Sequence, residues 1–271
     1  MSLEGRVAFI TGVARGQGRA HALRLAREGV KIVGIDICED VSSMDYPNAS
    51  VADLAETVKL VEALGGAMIG TKADVRDYSA VQTAVDQGVE RYGRLDIVIA
   101  NAGIIRLGDE PDDFTRLWDD IIGTNLTGVF HTVRATVQHL IDGGEGGSIV
   151  ITSSSAGLKG TGSPKTGVQA YTAAKRGLVG LMQVLANDLA PHMIRVNTIH
   201  PTGVATGMVM NEAMARMVAQ ADAAVSAMQN ALPIQILQPE DIANAVAWLV
   251  SDEAKFITGV QLPLDAGFSV R

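Results

Sequence analysis

Short apolar runs alternate with longer amphipathic stretches from one end of the chain to the other. Val7-Ala8-Phe9-Ile10 is followed by a stretch with apolar positions at Ala20, Leu23, Leu25 and Ala26, and then by the run Lys31 to Asp36. Continuous apolar runs of this length read as strands covered on both faces, and apolar spacing of three to four residues reads as helices packed on them. The pattern predicts strands near 6–11, 31–36, 67–73, 94–100, 147–153, 194–200 and 260–264. It places helices near 17–28, 52–64, 77–92, 112–142, 169–190, 206–230 and 239–251. Such alternation predicts a single α/β domain, a doubly wound parallel sheet with helices on both faces. Ligands of such sheets gather at the carboxyl ends of the strands, where Gly12, Asp36, Asn101, Ser154 and Pro201 all fall. Gly29 stands where the first helix should stop, and Pro239 with Glu240 and Asp241 where the last should start.

Composition narrows the classes of function. With 271 residues and 47% hydrophobic content, the chain suits one domain over residues 1–271, without a low-complexity linker or an internal repeat. A net charge of -8 disfavors a nucleic-acid partner, whose affinity comes largely from neutralised phosphates. The single Cys38 cannot form an internal disulfide, which fits a reducing, cytoplasmic setting. No apolar run reaches the roughly 18 residues that span a bilayer, so membrane insertion is not expected. His21, His131, His139, His192 and His200 lie in different elements without a ligand pattern, so no metal site is expected.

The first strand runs into a glycine turn, Gly12, Arg15, Gly16, Gln17 and Gly18, and then into a helix. Gly12 permits the tight exit, Gly16 lets backbone approach a pyrophosphate, and Gly18 lets the helix pack close. The helix N-terminus offers free N–H groups to the phosphates. Asp36 ends the next strand about twenty residues on, where a carboxylate accepts hydrogen bonds from ribose hydroxyls and repels a ribose phosphate. NAD is therefore favoured over NADP, although Arg15 is a cation of the kind that accommodates a phosphate.

Tyr171 and Lys175 stand one helical turn apart on one face. A phenol titrating at about 10 needs roughly 4 kcal/mol of preferential phenolate stabilisation to reach about 7, and a nearby ammonium supplies part of it. With the glycine turn and Asp36, this pair makes the chain resemble the short-chain dehydrogenase/reductase family over essentially its whole length. The resemblance implies a Rossmann-type fold, an NAD-dependent oxidoreductase acting on a CH–OH group, and a homotetramer. It extends to Asn101-Ala102-Gly103 after the fourth strand, to Asp74 and Val75 at the adenine, and to Ile37 beside Asp36. Asn125 and Ser154 match the family's catalytic asparagine and serine, although the neighbouring Ser153 and Ser155 leave the serine ambiguous. Val204 and Thr206 match the segment that cups the nicotinamide, with Thr202 where a glycine is usual. By resemblance, Tyr171 is the acid/base, Lys175 lowers its pKa and holds the nicotinamide ribose, Ser154 bonds the substrate oxygen, and Asn125 holds a relay water.

An inserted loop over about 37–52 is longer than a strand-to-helix connection requires. It resembles that of the carveol dehydrogenase-like members coupled to mycofactocin, which implies NAD held between turnovers and reoxidised by an external carrier. A surface loop without effect on exchange is the alternative. The segment Lys159 to Gln169 also adds residues at the substrate mouth. After Thr206, the residues Met208, Met210, Met214, Met217 and Met228 suit an adaptable apolar lid over about 204–235, or equally a helix packed on the domain. The favoured substrate is a hydrophobic secondary alcohol or its ketone: carveol-like, alicyclic or steroid-like. An NADPH-dependent carbonyl or ketoacyl reductase, and a catalytically silent dinucleotide sensor, are the competing readings.

Overall fold

The computed structural model describes residues 3–160, 163–219 and 229–271. Strands β1 (Val7–Thr11), β2 (Lys31–Asp36), β3 (Met68–Lys72), β4 (Ile97–Ala100), β5 (Gly147–Thr152), β6 (Ile194–Pro201) and β7 (Gln261–Leu264) form one sheet. Its order is β3-β2-β1-β4-β5-β6-β7, and every pairing is parallel. The order reverses between β1 and β4, which opens a crevice at their carboxyl ends.

Helices α1 (Gly16–Ala26), α2 (Val51–Ala63), α3 (Tyr78–Tyr92), α4 (Phe114–Ile122), α5 (Gly128–Gly143), α6 (Thr166–Leu189), α7 (Glu212–Ala219) and α8 (Pro239–Val250) complete the chain. Alternation along β1 assigns the two faces. Ala8 and Ile10 pack with Leu25 of α1, Val61 of α2 and Val246 of α8. Val7 and Phe9 pack with Val85 of α3, Val133 of α5 and Met182 of α6. Helix starts carry the chemistry that their free N–H groups require. Ser50 and Asp53 form a reciprocal capping box on α2, and Asp77 accepts from Ser79 and Ala80 at the start of α3.

Two helices depart from the sequence expectation. The stretch expected as one helix over 112–142 is divided by a single π turn, Gly123–Thr127. Its cause is Asn125, whose side-chain Nδ2 donates to the Ile121 carbonyl at 2.9 Å, the acceptor that an α-helical ladder assigns to the backbone N–H of residue 125. The helix expected over 206–230 begins only at Glu212, because Val209 and Met210 both turn back to the Thr206 carbonyl. Asn211 then accepts from the Met214 N–H. Residues 220–228, with Met228 and part of the expected lid, lie outside the described residues, as do residues 161–162 of the segment before Tyr171. Among the described residues no helix is long and apolar enough to cross a membrane. Cys38 is buried and free, with φ of 50°.

His21 on α1 is fully buried, and neither ring nitrogen has a hydrogen-bond partner. Burial lowers its pKa from 6.5 to about 4. The unfolded chain therefore binds a proton that the folded chain refuses between those values, and stability falls as pH drops through that window. The loss amounts to about 3 kcal/mol. His21→Met should be more stable than the parent at pH 4.5 and should lose less stability between pH 7 and pH 4.5, as read by urea denaturation. Parallel pH dependences of the two proteins would contradict this.

Candidate active site

The crevice starts at the glycine turn. Gly12 and Gly16 take φ of 67° and 57°, conformations that favour glycine. A Cβ on Gly18 would fall 2.0 Å from the Gly12 carbonyl oxygen, so α1 can start this close to the turn only with glycine there. Asp36, 8% exposed, accepts from the Ala14 N–H at 3.0 Å and the Cys38 N–H at 3.3 Å. Burial raises its pKa, opposed by those hydrogen bonds and the Arg15 charge. The carboxylate thus ties the glycine turn to the start of the inserted loop while lining the crevice.

The Asn101-Ala102-Gly103 turn is anchored by a residue the sequence reading passed over. The Thr11 hydroxyl accepts from the N–H groups of Asn101 and Ala102, each at 3.0 Å. A Cβ on Gly103 would lie 2.7 Å from Asn125 Oδ1 and 3.4 Å from Lys175 Nζ, so this turn passes directly between the two. Asn125 is fully buried. Its Oδ1 accepts from the Ile104 N–H at 3.1 Å, and its Nδ2 donates to the Ile104 carbonyl at 2.8 Å.

Tyr171 and Lys175 share a face of α6, with Nζ 5.5 Å from the phenol ring centroid. Lys175 is 2% exposed and donates to the Thr152 carbonyl at 2.7 Å. Burial lowers its pKa to about 7. Burial also raises the Tyr171 pKa, opposed by the adjacent Ser154 hydroxyl. The expected lowering of the tyrosine by Lys175 is therefore not the prevailing effect here: desolvation of the phenolate outweighs it, and desolvation weakens the hold of the lysine on its own proton.

Ser154 is resolved from its neighbours by geometry. The Ser153 hydroxyl is occupied by the Lys175 carbonyl at 2.9 Å, and Ser155 is buried, leaving Ser154 beside the phenol. His200 holds the Ser154 backbone. Its Nδ1 lies 2.8 Å from the Ser154 carbonyl, which can only accept, so Nδ1 carries the proton. Nε2, 2.9 Å from Thr198 Oγ1, then accepts from that hydroxyl. Burial lowers the His200 pKa and keeps it neutral.

Val204 pairs in parallel with Leu237, which closes the segment after β6, and Thr202 fits the turn without a positive φ. Thr206 and Met208 line the crevice, as do Asp74, Val75, Ala102 and Ile37. Arg15 donates to the Pro47 carbonyl at 2.6 Å and packs against Gly207, so its guanidinium is committed to the inserted loop. That loop contributes Val41, Tyr46, Asn48 and Ala49 to the crevice wall. The sequence reading located the loop but not these residues. The only signal for Val41 and Tyr46 was that they are large apolar positions in an otherwise polar stretch. Buried oxygens of Gln17 and Asn48, both crevice residues, have no partner among the described residues.

Close-approach glycines, unpartnered polar atoms and a carboxylate at the end of β2 together fit a dinucleotide. The class so defined is a dinucleotide-dependent oxidoreductase. The family profile described as Enoyl-(Acyl carrier protein) reductase matches residues 12–269. An uncharacterized oxidoreductase of Mycobacterium tuberculosis is 53% identical, covering 98% of this chain and 97% of its own. The (-)-trans-carveol dehydrogenase of Rhodococcus erythropolis is 45% identical over 99% of both. The crystal structure of carveol dehydrogenase from Mycobacterium avium in complex with NAD superimposes with a TM-score of 0.92, at 47% identity and 99% coverage of each chain. A short chain dehydrogenase from Mycobacterium paratuberculosis bound to NAD gives 0.93, at 42% identity and full coverage of both. The chain belongs to the short-chain dehydrogenase/reductase family and is an NAD-dependent oxidoreductase.

Gly18→Ala should abolish NAD binding and cost roughly 2 kcal/mol of stability, since no flexible side chain is available to yield to the new methyl. Isothermal titration and thermal melting read the two effects separately. Undiminished NAD affinity would show that α1 need not start against Gly12.

Proposed function

We propose that this enzyme interconverts a hydrophobic secondary alcohol, carveol-like, alicyclic or steroid-like, and its ketone, with Tyr171 as acid/base. The observation that carries the reading is the buried Lys175 one helical turn from Tyr171, with the Ser154 hydroxyl beside the phenol. When bound, NAD accepts the hydride that leaves the carbinol carbon. Tyr171 as phenolate takes the hydroxyl proton in the same event, and in the reverse direction the phenol returns it to the ketone oxygen. Ser154 donates a hydrogen bond to that oxygen. Lys175, when protonated, favours the phenolate against the burial that opposes it. Asn125 fixes the Ile104 backbone and, through a further lone pair on Oδ1, holds a water between itself and Lys175. Gly12, Gly16, Gln17, Asp36, Asp74, Asn101, Val204 and Thr206 bind the dinucleotide, and Arg15 supports it through the loop.

The loop over about 37–52 retains NAD between turnovers, and an external redox carrier such as mycofactocin reoxidises it in place. The anchoring of this loop, through Ser43 to Asp120 and through Asp45 to the Gly108 N–H, supports the reading. The segment over about 204–235 is a lid on the apolar side of the site, and residues 1–271 act as one domain. A cytoplasmic homotetramer is the working form. The exposed Phe114, Trp118 and Phe130 on α4 and α5 support subunit contacts there.

Tyr171→Phe should lower kcat at least 10²-fold while changing the NAD Kd less than about twofold, since general acid–base catalysis contributes on the order of 10² to 10⁴. Single-turnover kinetics with an alcohol panel, an artificial electron acceptor and isothermal titration with NAD check both. Protein purified without added cofactor should release near-stoichiometric NAD on denaturation. Retained turnover in the variant would remove Tyr171 from its role, and an empty wild-type protein exchanging NAD rapidly would remove the retention.

A further inference from the structure

We propose that Tyr46, at the tip of the inserted loop, is a dinucleotide-binding residue that donates a hydrogen bond from its phenol to an oxygen in the pyrophosphate and nicotinamide half of NAD. The inference rests on the NAD retention proposed above and deepens it. It replaces a cover that merely blocks exit with a specific polar contact.

Position comes first. Tyr46 is 9% exposed, and what it exposes lines the crevice together with Gly12, Gly16, Asn101 and Ile104. Its Oη lies 3.4 Å from the Ile105 N–H, two residues past the Asn101-Ala102-Gly103 turn, and the neighbouring Pro47 is held by Arg15 of the glycine turn. The phenol therefore borders the stretch of the crevice between the glycine turn and the Asn101-Ala102-Gly103 turn.

Hydrogen-bond accounting gives the direction. The Ile105 N–H donates to Tyr46 Oη at 3.4 Å, which uses one lone pair and leaves the phenolic proton without an acceptor among the described residues. The group stays a phenol throughout the working pH range, since burial pushes its pKa up to about 12. A neutral O–H next to an oxygen-rich ligand is a donor, and a buried polar group of this kind finds a partner. The unpartnered Asn48 oxygen, two residues on and in the same wall, shows that the loop turns more than one polar atom toward the crevice.

The ring cannot readily swing aside. Ser43 Oγ donates to Asp120 of α4 at 2.7 Å, and Arg106 donates to the Ser43 carbonyl at 3.0 Å. Asp45 accepts from the Gly108 N–H at 2.6 Å, and Arg15 holds the Pro47 carbonyl. Asp120 is itself bound by Arg76, which also pairs with Asp74 in the crevice wall. On the apolar side, Val41 and Met44 join the cluster of Ile104, Leu117, Ile121 and Ala170 against which Tyr171 packs. Tyr46 thus sits between anchors on both sides.

The test compares wild type, Tyr46→Phe and Val41→Ala. Phenylalanine keeps the ring and removes only the hydroxyl, whereas alanine loosens the apolar packing and keeps it. Loss of one hydrogen bond to a charged or strongly polar oxygen corresponds to roughly tenfold in binding. Tyr46→Phe should therefore raise the NAD dissociation rate and Kd about tenfold, with only a small change in thermal melting of the NAD-free protein from loss of the Ile105 contact. Adenosine, which carries neither the phosphates nor the nicotinamide half, should bind both proteins equally. NAD binding by Tyr46→Phe at the wild-type level would overturn the proposal, as would an equal loss for adenosine or an equal loss in Val41→Ala. Should wild type release NAD at once, retention fails, and the tenfold difference in equilibrium Kd between wild type and Tyr46→Phe still decides the role of the hydroxyl.

Discussion

A buried ammonium is the constraint around which this site is arranged. Lys175 is 2% exposed, and its ammonium donates to the Thr152 carbonyl at the end of β5. Burial alone takes its pKa to about 7 and at the same time raises that of Tyr171. Two groups that both resist ionisation in a dry site become useful together, because the charge on one offsets the desolvation of the other. Keeping them within one helical turn fixes what must surround them. Glycine is required at position 103, where any side chain would strike Asn125 and crowd Nζ. The Ser153 hydroxyl must bind the Lys175 carbonyl rather than a substrate.

The same crevice is closed from above by the inserted loop, which is joined to the molecule at both of its ends. Asp36 holds the loop start to the glycine turn through Ala14 and Cys38, and Arg15 returns from that turn to Pro47. The middle of the loop reaches across to α4 and to the segment after β4. The inserted loop and the packing of Tyr171 are therefore parts of one structure: Val41 and Met44 lie in the apolar cluster that supports the phenol.

Much of this was legible in the residues. The strand and helix alternation, the glycine turn, Asp36 and the Tyr171–Lys175 spacing depend on local sequence, and apart from the divided helix over 112–142 and the late start of α7 the elements fall where periodicity put them. What was not legible depends on contacts between distant segments. The π turn follows from the Asn125 side chain competing for a backbone carbonyl, which helical periodicity does not register. That the Ser153 hydroxyl is taken up by the Lys175 carbonyl while Ser154 stays beside the phenol follows from the packing of the segment after β5 against α6. Thr11 and His200 act through backbone groups about ninety and about forty-six residues away, with no motif around either. The hydrogen bond from Arg15 to Pro47 is likewise a tertiary contact, and it fastens the loop to the glycine turn.

The most direct measurement of the central claim is an ultraviolet difference titration of the NAD-loaded enzyme, with Tyr171→Phe subtracted, in the parent and in Lys175→Met. With Lys175 intact, the Tyr171 phenolate should form at a lower pH than with methionine at 175, because the ammonium offsets part of the desolvation that raises it. A Tyr171 that titrates at the same pH in both proteins would contradict the account.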